Sequence, residues 1–413
     1  MLYYFILGQN PTLSAVEIYY FLKKEKFDFK IEKISDEVLL VDFKKEIEAE
    51  KIIDSLGGTI KIGQVITQTT KGQITPECII NNFPPARRGI KGGGSKFHFG
   101  FSTYTLKPNK FRLSKNFGLE VKKLLKEKNI SSRFVTSRES NLSSVVVAKN
   151  RLLKNGAEIC FLVDQDKIYL GKTLTVQKFG EYSKLDYGRP GRDIRSGMLP
   201  PKVAKMMVNL TQIPNNKYQI IDPFCGSGTI LQQAALLGYQ NLIGSDISDK
   251  AINNTKRNFN YLNVRAIHEL PQQLPPTLHV LDATKLSSKI KPNSIDAIIT
   301  EPYLGPPLKG NESREKIQEI ISQLAELYLK AFAEFKKVLK SKGKVVIIFP
   351  LLKGEKSMIN NDLEKIKKLG FSYGLDLPPE FNSLKITPRQ SIIYSRPGQR
   401  VEREIFIFVK NNH

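Results

Sequence analysis

The sequence predicts an α/β protein whose second half is an open, mostly parallel sheet and whose first half is two smaller α+β units. Three observations predict it. From Gly197 onward, short apolar strand patterns alternate with helical ones, as a parallel sheet with crossover helices requires. Three of those strands end in an acid: Asp222 in "YQIIDPF", Asp246 in "NLIGSDI" and Asp282 in "HVLDATKL". Charge also changes along the chain: residues 1–70 carry 9 basic and 11 acidic side chains, 71–190 carry 23 and 9, and 191–413 carry 32 and 20.

The elements follow in order. "LYYFIL" reads as a buried first strand; it lacks a basic leader and runs at once into Gln9, Asn10 and Pro11, which fits neither a signal peptide nor a membrane span. A helix over about Thr12 to Lys24, strands through "EVLLVDF" and "IGQVITQT", and a helix near Ile47 to Leu56 complete a first unit, residues 1–70. The second unit, 71–178, has a strand over Phe97 to Tyr104, a helix over "KNFGLEVKKLLKEKN", a short strand in "SSRFVTS", a helix near Ser143 to Leu153, and strands "AEICFLV" and "KIYLGKTLTVQ" meeting at the turn Asp164 to Asp166. Residues 179–196, rich in Gly, Tyr and charge without periodicity, read as a linker to the large unit, 197–413. There "IDAIITEPY" and "GKVVIIFPLL" add two more strands, helices fall after Ser227, after Ser248, across Ser313 to Leu339 and near Ile359 to Leu369, and "SIIYSRPGQRVEREIFIFVK" is a closing hairpin expected at the sheet's edge.

Composition narrows the function. With 40% hydrophobic and 25% charged residues the chain is globular rather than disordered. Three scattered cysteines without a CxxC pair and four histidines without ligand spacing argue against a structural metal and for the cytoplasm. The net charge of +24 calls for a polyanionic partner. Arg87, Arg88, Lys91 and Lys96 lie in the loop "RRGIKGGGSK", and Lys122 and Lys123 lie on the helix after it; these are the candidate nucleic-acid contacts. The loop is not a phosphate-binding P-loop, because Ser95 and Lys96 stand in the wrong order and a strand follows where a helix should.

"DPFCGSGTI" is the chemical core. Asp222 ends a strand, Gly226 and Gly228 let the backbone bend close to a ligand, and Thr229 opens a helix. A G-x-G after a strand is also what any tight strand-to-helix turn needs, so its weight comes from Asp246 and Asp282, which would meet it at the carboxyl ends of neighbouring strands. Cys225 sits in the same turn, where a small residue serves as well as a nucleophile.

Together these motifs resemble the S-adenosylmethionine-dependent methyltransferases, and the chain as a whole resembles the THUMP-domain RNA methylases, specifically the archaeal and eukaryotic tRNA guanine-N2 methyltransferases of the guanosine-10 type. The resemblance implies a Rossmann-like methyltransferase domain with a terminal antiparallel hairpin, a THUMP-like RNA-binding domain at 71–178 and a ferredoxin-like unit before it. It implies S-adenosylmethionine as cofactor and tRNA as partner, no metal and no membrane, and leaves open a small accessory subunit. "SGMLPPKVAKMMVNLT" resembles the segment lining the methionine end of the cofactor, which adds Leu199 and Pro200. By the same resemblance Asp222, Phe224, Gly226, Gly228 and Thr229 flank the amino-acid part, Asp246 with Ile247 takes the ribose, and Asp282 with Ala283 takes the adenine.

Amino-directed methyltransferases carry Asp or Asn, Pro, Pro and an aromatic at the fourth strand's end. This sequence has Glu301, Pro302 and Tyr303 in "TEPYLG", with the acid one methylene longer and the aromatic one place early. A guanine amine is a poor nucleophile because its lone pair is delocalised; a carboxylate accepting its hydrogens would localise that pair. Two other readings remain from the sequence: a methyltransferase of rRNA or DNA amines, and a non-catalytic RNA-binding relative. The basic unit argues against a plain DNA methylase, and the intact acids argue against a dead enzyme.

Overall fold

The computed structural model describes residues 1–85, 96–108, 111–191, 198–214, 217–266, 274–352, 360–396, 398–399 and 401–412. These fall into two compact units, one of residues 1–15, 26–180 and 378–384, the other of 16–25, 181–377 and 385–413.

The first unit is built on one eight-stranded sheet. Its strands are β1 (Leu2–Leu7), β2 (Phe29–Ile34), β3 (Val38–Phe43), β4 (Thr59–Thr70), β5 (Phe97–Lys107), β6 (Ser132–Val135), β7 (Gly156–Asp164) and β8 (Lys167–Val176). They lie in the order β2-β3-β1-β4-β8-β7-β5-β6, so the two halves expected from the sequence share a single sheet, joined where β4 pairs antiparallel with β8. Helices α1 (Pro11–Lys24), α2 (Ala49–Ser55), α3 (Pro76–Asn82), α4 (Phe117–Glu127) and α5 (Ser144–Lys149) connect them. The last is shorter than the sequence suggested, stopping at Asn150 before Arg151 turns to positive φ. Phe99, Phe117, Val121, Leu125 and Phe161 form the core beneath α4, whose exposed face carries Lys122, Lys123 and Lys126.

A closed polar network lies inside this sheet. Lys61 of β4 and Glu158 of β7 form an ion pair at 2.5 Å with 1% and 0% of their side chains exposed. Glu158 also accepts from Ser102 and Thr173, and the Lys61 ammonium donates to the Leu142 carbonyl. Two charges out of water are tolerable only when each finds such partners.

The second unit begins with α6 (Phe179–Tyr187) and α7 (Pro201–Leu210). Its strands are β9 (Gln219–Asp222), β10 (Asn241–Asp246), β11 (Thr277–Val280), β12 (Ile295–Thr300), β13 (Leu339–Leu352), β14 (Phe371–Tyr373), β15 (Ile392–Tyr394) and β16 (Val401–Lys410), with helices α8 (Thr229–Leu236), α9 (Asp249–Ala266), α10 (Arg314–Val338) and α11 (Asn360–Lys368) between them. The order is β11-β10-β9-β12-β13-β16-β14. The five strands from β11 to β13 run parallel, and β16 runs antiparallel to both β13 and β14. The closing hairpin of β15 and β16 is present at this end of the sheet, as the sequence reading expected, with the long strand β16 against β13 and the short strand β15 outside it. The far side of β16 is paired in two stretches, by β15 along residues 403–405 and by β14 along residues 408–410, while Phe406 and Phe408 are buried in the core beneath α10.

Local chemistry explains the layers. Ile220 and Ile221 of β9 and Ala297, Ile298 and Ile299 of β12 are fully buried, as strands covered on both faces require. In α10 the buried positions Ile320, Leu324, Tyr328, Ala331, Phe335 and Val338 recur every three or four residues, and Ser313 caps its start by accepting from the Lys316 N–H. Residues 16–25 join this unit: Asn209 of α7 donates to the buried Glu17 carboxylate at 2.8 Å, and the Asp376 N–H donates to the Tyr20 hydroxyl at 3.0 Å.

Because Glu158 is fully enclosed, Lys61→Met is expected to destabilise the protein by about 3–5 kcal/mol through the carboxylate left without its cation. Adding Glu158→Gln should recover much of that loss. Chemical denaturation of the two variants checks both expectations.

Candidate active site

The site lies at the carboxyl ends of β10, β9 and β12. Parallel register brings them together: Gly244 of β10 stands beside Asp222 of β9, and Ala297 and Ile298 of β12 stand beside Ile220 and Ile221. Asp222, Asp246 and Glu301 therefore leave adjacent strands within one crevice.

Asp222 is the buried centre, 1% exposed. Its Oδ1 accepts from the Thr300 hydroxyl at 2.7 Å and from the Phe224 N–H at 3.2 Å. Its carboxyl is pushed up to about 8, chiefly by burial, with the two donors opposing the rise and the neighbouring Asp246 and Glu301 adding to it. Asp246 spreads its charge over two backbone amides, Oδ2 accepting from Gly226 at 3.0 Å and Oδ1 from Ser248 at 2.9 Å. The next residue, Ile247, is 74% exposed. Asp282 begins the helical turn after β11; its Oδ1 takes both the N–H and the hydroxyl of Thr284, and its Oδ2 has no hydrogen bond among the described residues. Ala283 behind it is buried.

The turn between β9 and α8 needs its glycines. Gly226 has φ +52 and Gly228 φ +79, and a Cβ on Gly228 would come within 2.7 Å of the Thr255 methyl. A Cβ on Gly226 would meet nothing within 4 Å among the described residues, so that side of the turn is open. Phe224 is half-buried, and Thr229 opens α8 with its hydroxyl accepting from Arg189 at 2.6 Å. Cys225 is buried and its thiol is pushed well up, chiefly by burial and then by Asp222 and Asp246, which leaves no thiolate for nucleophilic attack. Leu199 and Pro200 are buried at the start of α7, where Pro200 occupies the cap position.

Glu301 closes the crevice on the β12 side. Its Oε1 accepts from Arg403 Nε at 2.5 Å, with side-chain exposures of 14% and 8%. Burial raises the Glu301 carboxyl and Arg403 opposes that rise. Pro302 is buried, Tyr303 is 57% exposed, and the Tyr303 carbonyl accepts from the Tyr328 hydroxyl of α10 at 2.6 Å. This bond anchors the turn's backbone and leaves the Tyr303 ring projecting.

Several site-building residues escaped the sequence reading. Thr255 and Asn258 of α9 are both fully buried; the Thr255 hydroxyl donates to the Gly226 carbonyl at 2.9 Å, and Asn258 donates to the carbonyls of Ser227 and Gly191. Their signal was present, since they fall among Ile252, Phe259 and Leu262 on the apolar face of the helix. Arg189, inside the segment read as linker, is buried and donates to Thr229 and to the Met198 sulfur. Arg403 had no local signal at all.

The nucleic-acid candidates are distributed differently. Lys122 and Lys123 are exposed on α4 and, with Lys126, Ser131 and Ser132, line a groove at the helix's C-terminal end. Lys96 is exposed just before β5. Arg87, Arg88 and Lys91 lie outside the described residues. Among the described residues no group of His, Cys, Asp and Glu could hold a metal, and no helix is long and apolar enough to cross a membrane.

Asp222 gives the site a pH signature. Its folded value near 8 lies above that of an unfolded aspartate, about 3.9. The folded state therefore holds more protons between those limits, and this group's contribution to stability declines as pH rises through the window, by up to about 1.4 kcal/mol per pH unit. Asp222→Asn is expected to flatten that part of the curve, as urea unfolding from pH 4 to 8 would show.

Comparison with known proteins places this geometry. Residues 191–375 match the UPF0020 family model, an RMKL-like methyltransferase domain. The tRNA (guanine(10)-N2)-dimethyltransferase of Pyrococcus abyssi is 29% identical over 189 residues, 45% of this chain and 50% of that enzyme. The enzyme of the same name from Methanocaldococcus jannaschii is 25% identical over 271 residues, 63% of this chain and 69% of the relative. The chain thus matches about half the length of the first relative and about two thirds of the second. The crystal structure of TrmN from Thermus thermophilus superposes with a TM-score of 0.52 at 14% identity, covering 99% of this chain and 100% of that one, a likeness of fold. Residues 191–375 are thus similar in sequence to a methyltransferase domain, and the likeness to TrmN is one of fold.

Proposed function

We propose that this protein is an S-adenosylmethionine-dependent tRNA methyltransferase acting on the exocyclic N2 amine of a guanosine, position 10 as in the names of its relatives. The observation that carries the proposal is the convergence of Asp222, Asp246 and Glu301 at three adjacent strand ends of a methyltransferase sheet.

The residues present fit the cofactor. The open side of the turn at Gly226 leaves room for its amino-acid part, the Asp246 carboxylate would accept from adjacent ribose hydroxyls, Ile247 offers an exposed apolar face to the adenine, and Asp282 Oδ2 would accept from the adenine amine. Bound there, the cofactor would supply an electrophilic methyl group on a positively charged sulfur, with the sulfur able to keep the electron pair of the carbon bond when the methyl is transferred. Glu301 accepts an N2 hydrogen, which directs the nitrogen lone pair, and takes the proton that the amine must lose. Tyr303, 57% exposed, is placed to stack on a base taken out of its own stack. Arg87, Arg88, Lys91, Lys96, Lys122 and Lys123 are proposed to hold the RNA backbone, a role that positions the substrate without reading its sequence.

Incubation with labelled cofactor and total tRNA, followed by digestion to nucleosides, is expected to yield N2-methylated guanosine, and the product separates one methyl addition from two. Label appearing in adenosine or cytidine, or none in tRNA, would overturn the reading. In the same preparation Asp246→Ala should weaken cofactor binding by about 1.5–3 kcal/mol by calorimetry. Glu301→Ala should slow single-turnover transfer by about 100- to 1000-fold with cofactor affinity unchanged, and Glu301→Gln, which keeps an acceptor oxygen, by less. Replacing Lys122, Lys123 and Lys126 together by Gln should weaken tRNA binding and reduce its salt slope by about two to three.

A further inference from the structure

We propose that Arg403 is a positioning residue for Glu301: its guanidinium holds Oε1, supplies the counter-charge to the buried carboxyl and leaves Oε2 as the oxygen that meets the substrate amine. The inference rests on the role of Glu301 proposed above and extends it to a residue 102 positions away in sequence.

The argument starts from side-chain length. A glutamate in place of the shorter acid of amino-directed methyltransferases adds a rotatable bond just where the acceptor must not wander, and Nε of Arg403 at 2.5 Å removes that freedom. The partners are well enclosed, 14% and 8% exposed, so their attraction is little screened. Topology delivers the arginine. In the β13–β16 register Arg403 stands opposite Pro350 near the end of β13, because an antiparallel strand starts where its parallel neighbours finish.

The groups set against Glu301 define what Arg403 does there. Asp222 at the end of β9 is a second carboxyl, Tyr328 of α10 is a phenol whose own titration burial and Glu301 push well up, and Tyr303 follows in the turn. Among the described residues Arg403 is the cation acting on Glu301, and without it burial alone would favour the neutral acid, a poor acceptor. Holding β16 in place does not require this contact. Its neighbour Glu404, 1% exposed, is already clamped by Arg389 at 2.8 Å and by the Ser391 hydroxyl.

The test uses the full-length protein with Arg403→Gln, Arg403→Lys, Glu301→Gln and the double Glu301→Gln/Arg403→Gln. Two readouts are taken across pH: single-turnover methylation of tRNA, and the carboxyl titration of Glu301 by NMR of protein labelled at the glutamate carboxyl carbon, with Glu301→Gln assigning the signal. Arg403→Gln is expected to move both the carboxyl midpoint and the acid limb of the rate upward by about one to three pH units, so that on the acid side the rate is about 10- to 1000-fold lower. Arg403→Lys, which keeps the charge but not the fork, should fall between that variant and wild type, and it carries the test if Arg403→Gln does not fold. In the Glu301→Gln background Arg403→Gln should add no further loss, since the arginine acts through the carboxylate. A folded Arg403→Gln, or failing that Arg403→Lys, with wild-type midpoint and rate at every pH overturns the proposal, as do losses that multiply in the double variant. Wild type that leaves tRNA unmethylated overturns the functional reading instead, while the carboxyl titration still decides whether Arg403 governs Glu301.

Discussion

The second unit depends on a concentration of acidic groups at the ends of its central strands. Asp222, Asp246 and Glu301 leave neighbouring strands, and in a low-dielectric interior their ionised forms would repel one another, which adds to the burial that pushes the Asp222 carboxyl up. Each is stabilised by a different kind of partner: a hydroxyl and an amide for Asp222, two amides for Asp246, a guanidinium for Glu301. These partners also shape the site. The Thr300–Asp222 bond ties β12 to β9 where both strands end, and the Gly226–Asp246 bond holds the glycine turn against β10.

The polar network of the first unit makes an instructive contrast. Around Lys61 and Glu158 the donors and acceptors face one another inside a sheet, and both ionic side chains are closed to solvent. In the crevice, by comparison, Asp282 keeps an oxygen without a hydrogen bond among the described residues, Ile247 and Tyr303 project, and Gly226 is open on one side. A closed network adds rigidity to a core, whereas one with unfilled acceptors beside exposed apolar groups has the character of a binding site.

Strand direction does more here than complete the sheet. The parallel strands β9, β10 and β12 can contribute only their last residues to the crevice, and these are acids with the turns that follow them. An antiparallel strand contributes its first residues instead, which is how β16 brings a cation to a rim otherwise populated by carboxylates. The alternation of the same strand sends Glu404 to the opposite face, where Arg389 meets it.

The sequence by itself determined everything that rests on local pattern. Periods of two and of three to four residues are imprinted by backbone geometry, so α10 and the apolar runs of β9 and β12 were legible, as was the need for Gly226 and Gly228 in a bent turn. The acids could be read because each stands where an apolar run stops. Tertiary structure decided the rest, because pairing between distant segments leaves no periodic trace. That residues 1–70 and 71–178 share one sheet depends on β4 meeting β8. That the C-terminal part of β16 has a second neighbour beyond its hairpin partner depends on β14, three residues long and too short to announce itself. In sequence Arg189 is one charge of a charged linker, with nothing to announce its burial against Thr229, and Arg403 is one of three charges in a "VEREIF" strand. Its attachment to Glu301 is set by the register of β16 on β13, a property of the sheet and of neither residue's own neighbourhood.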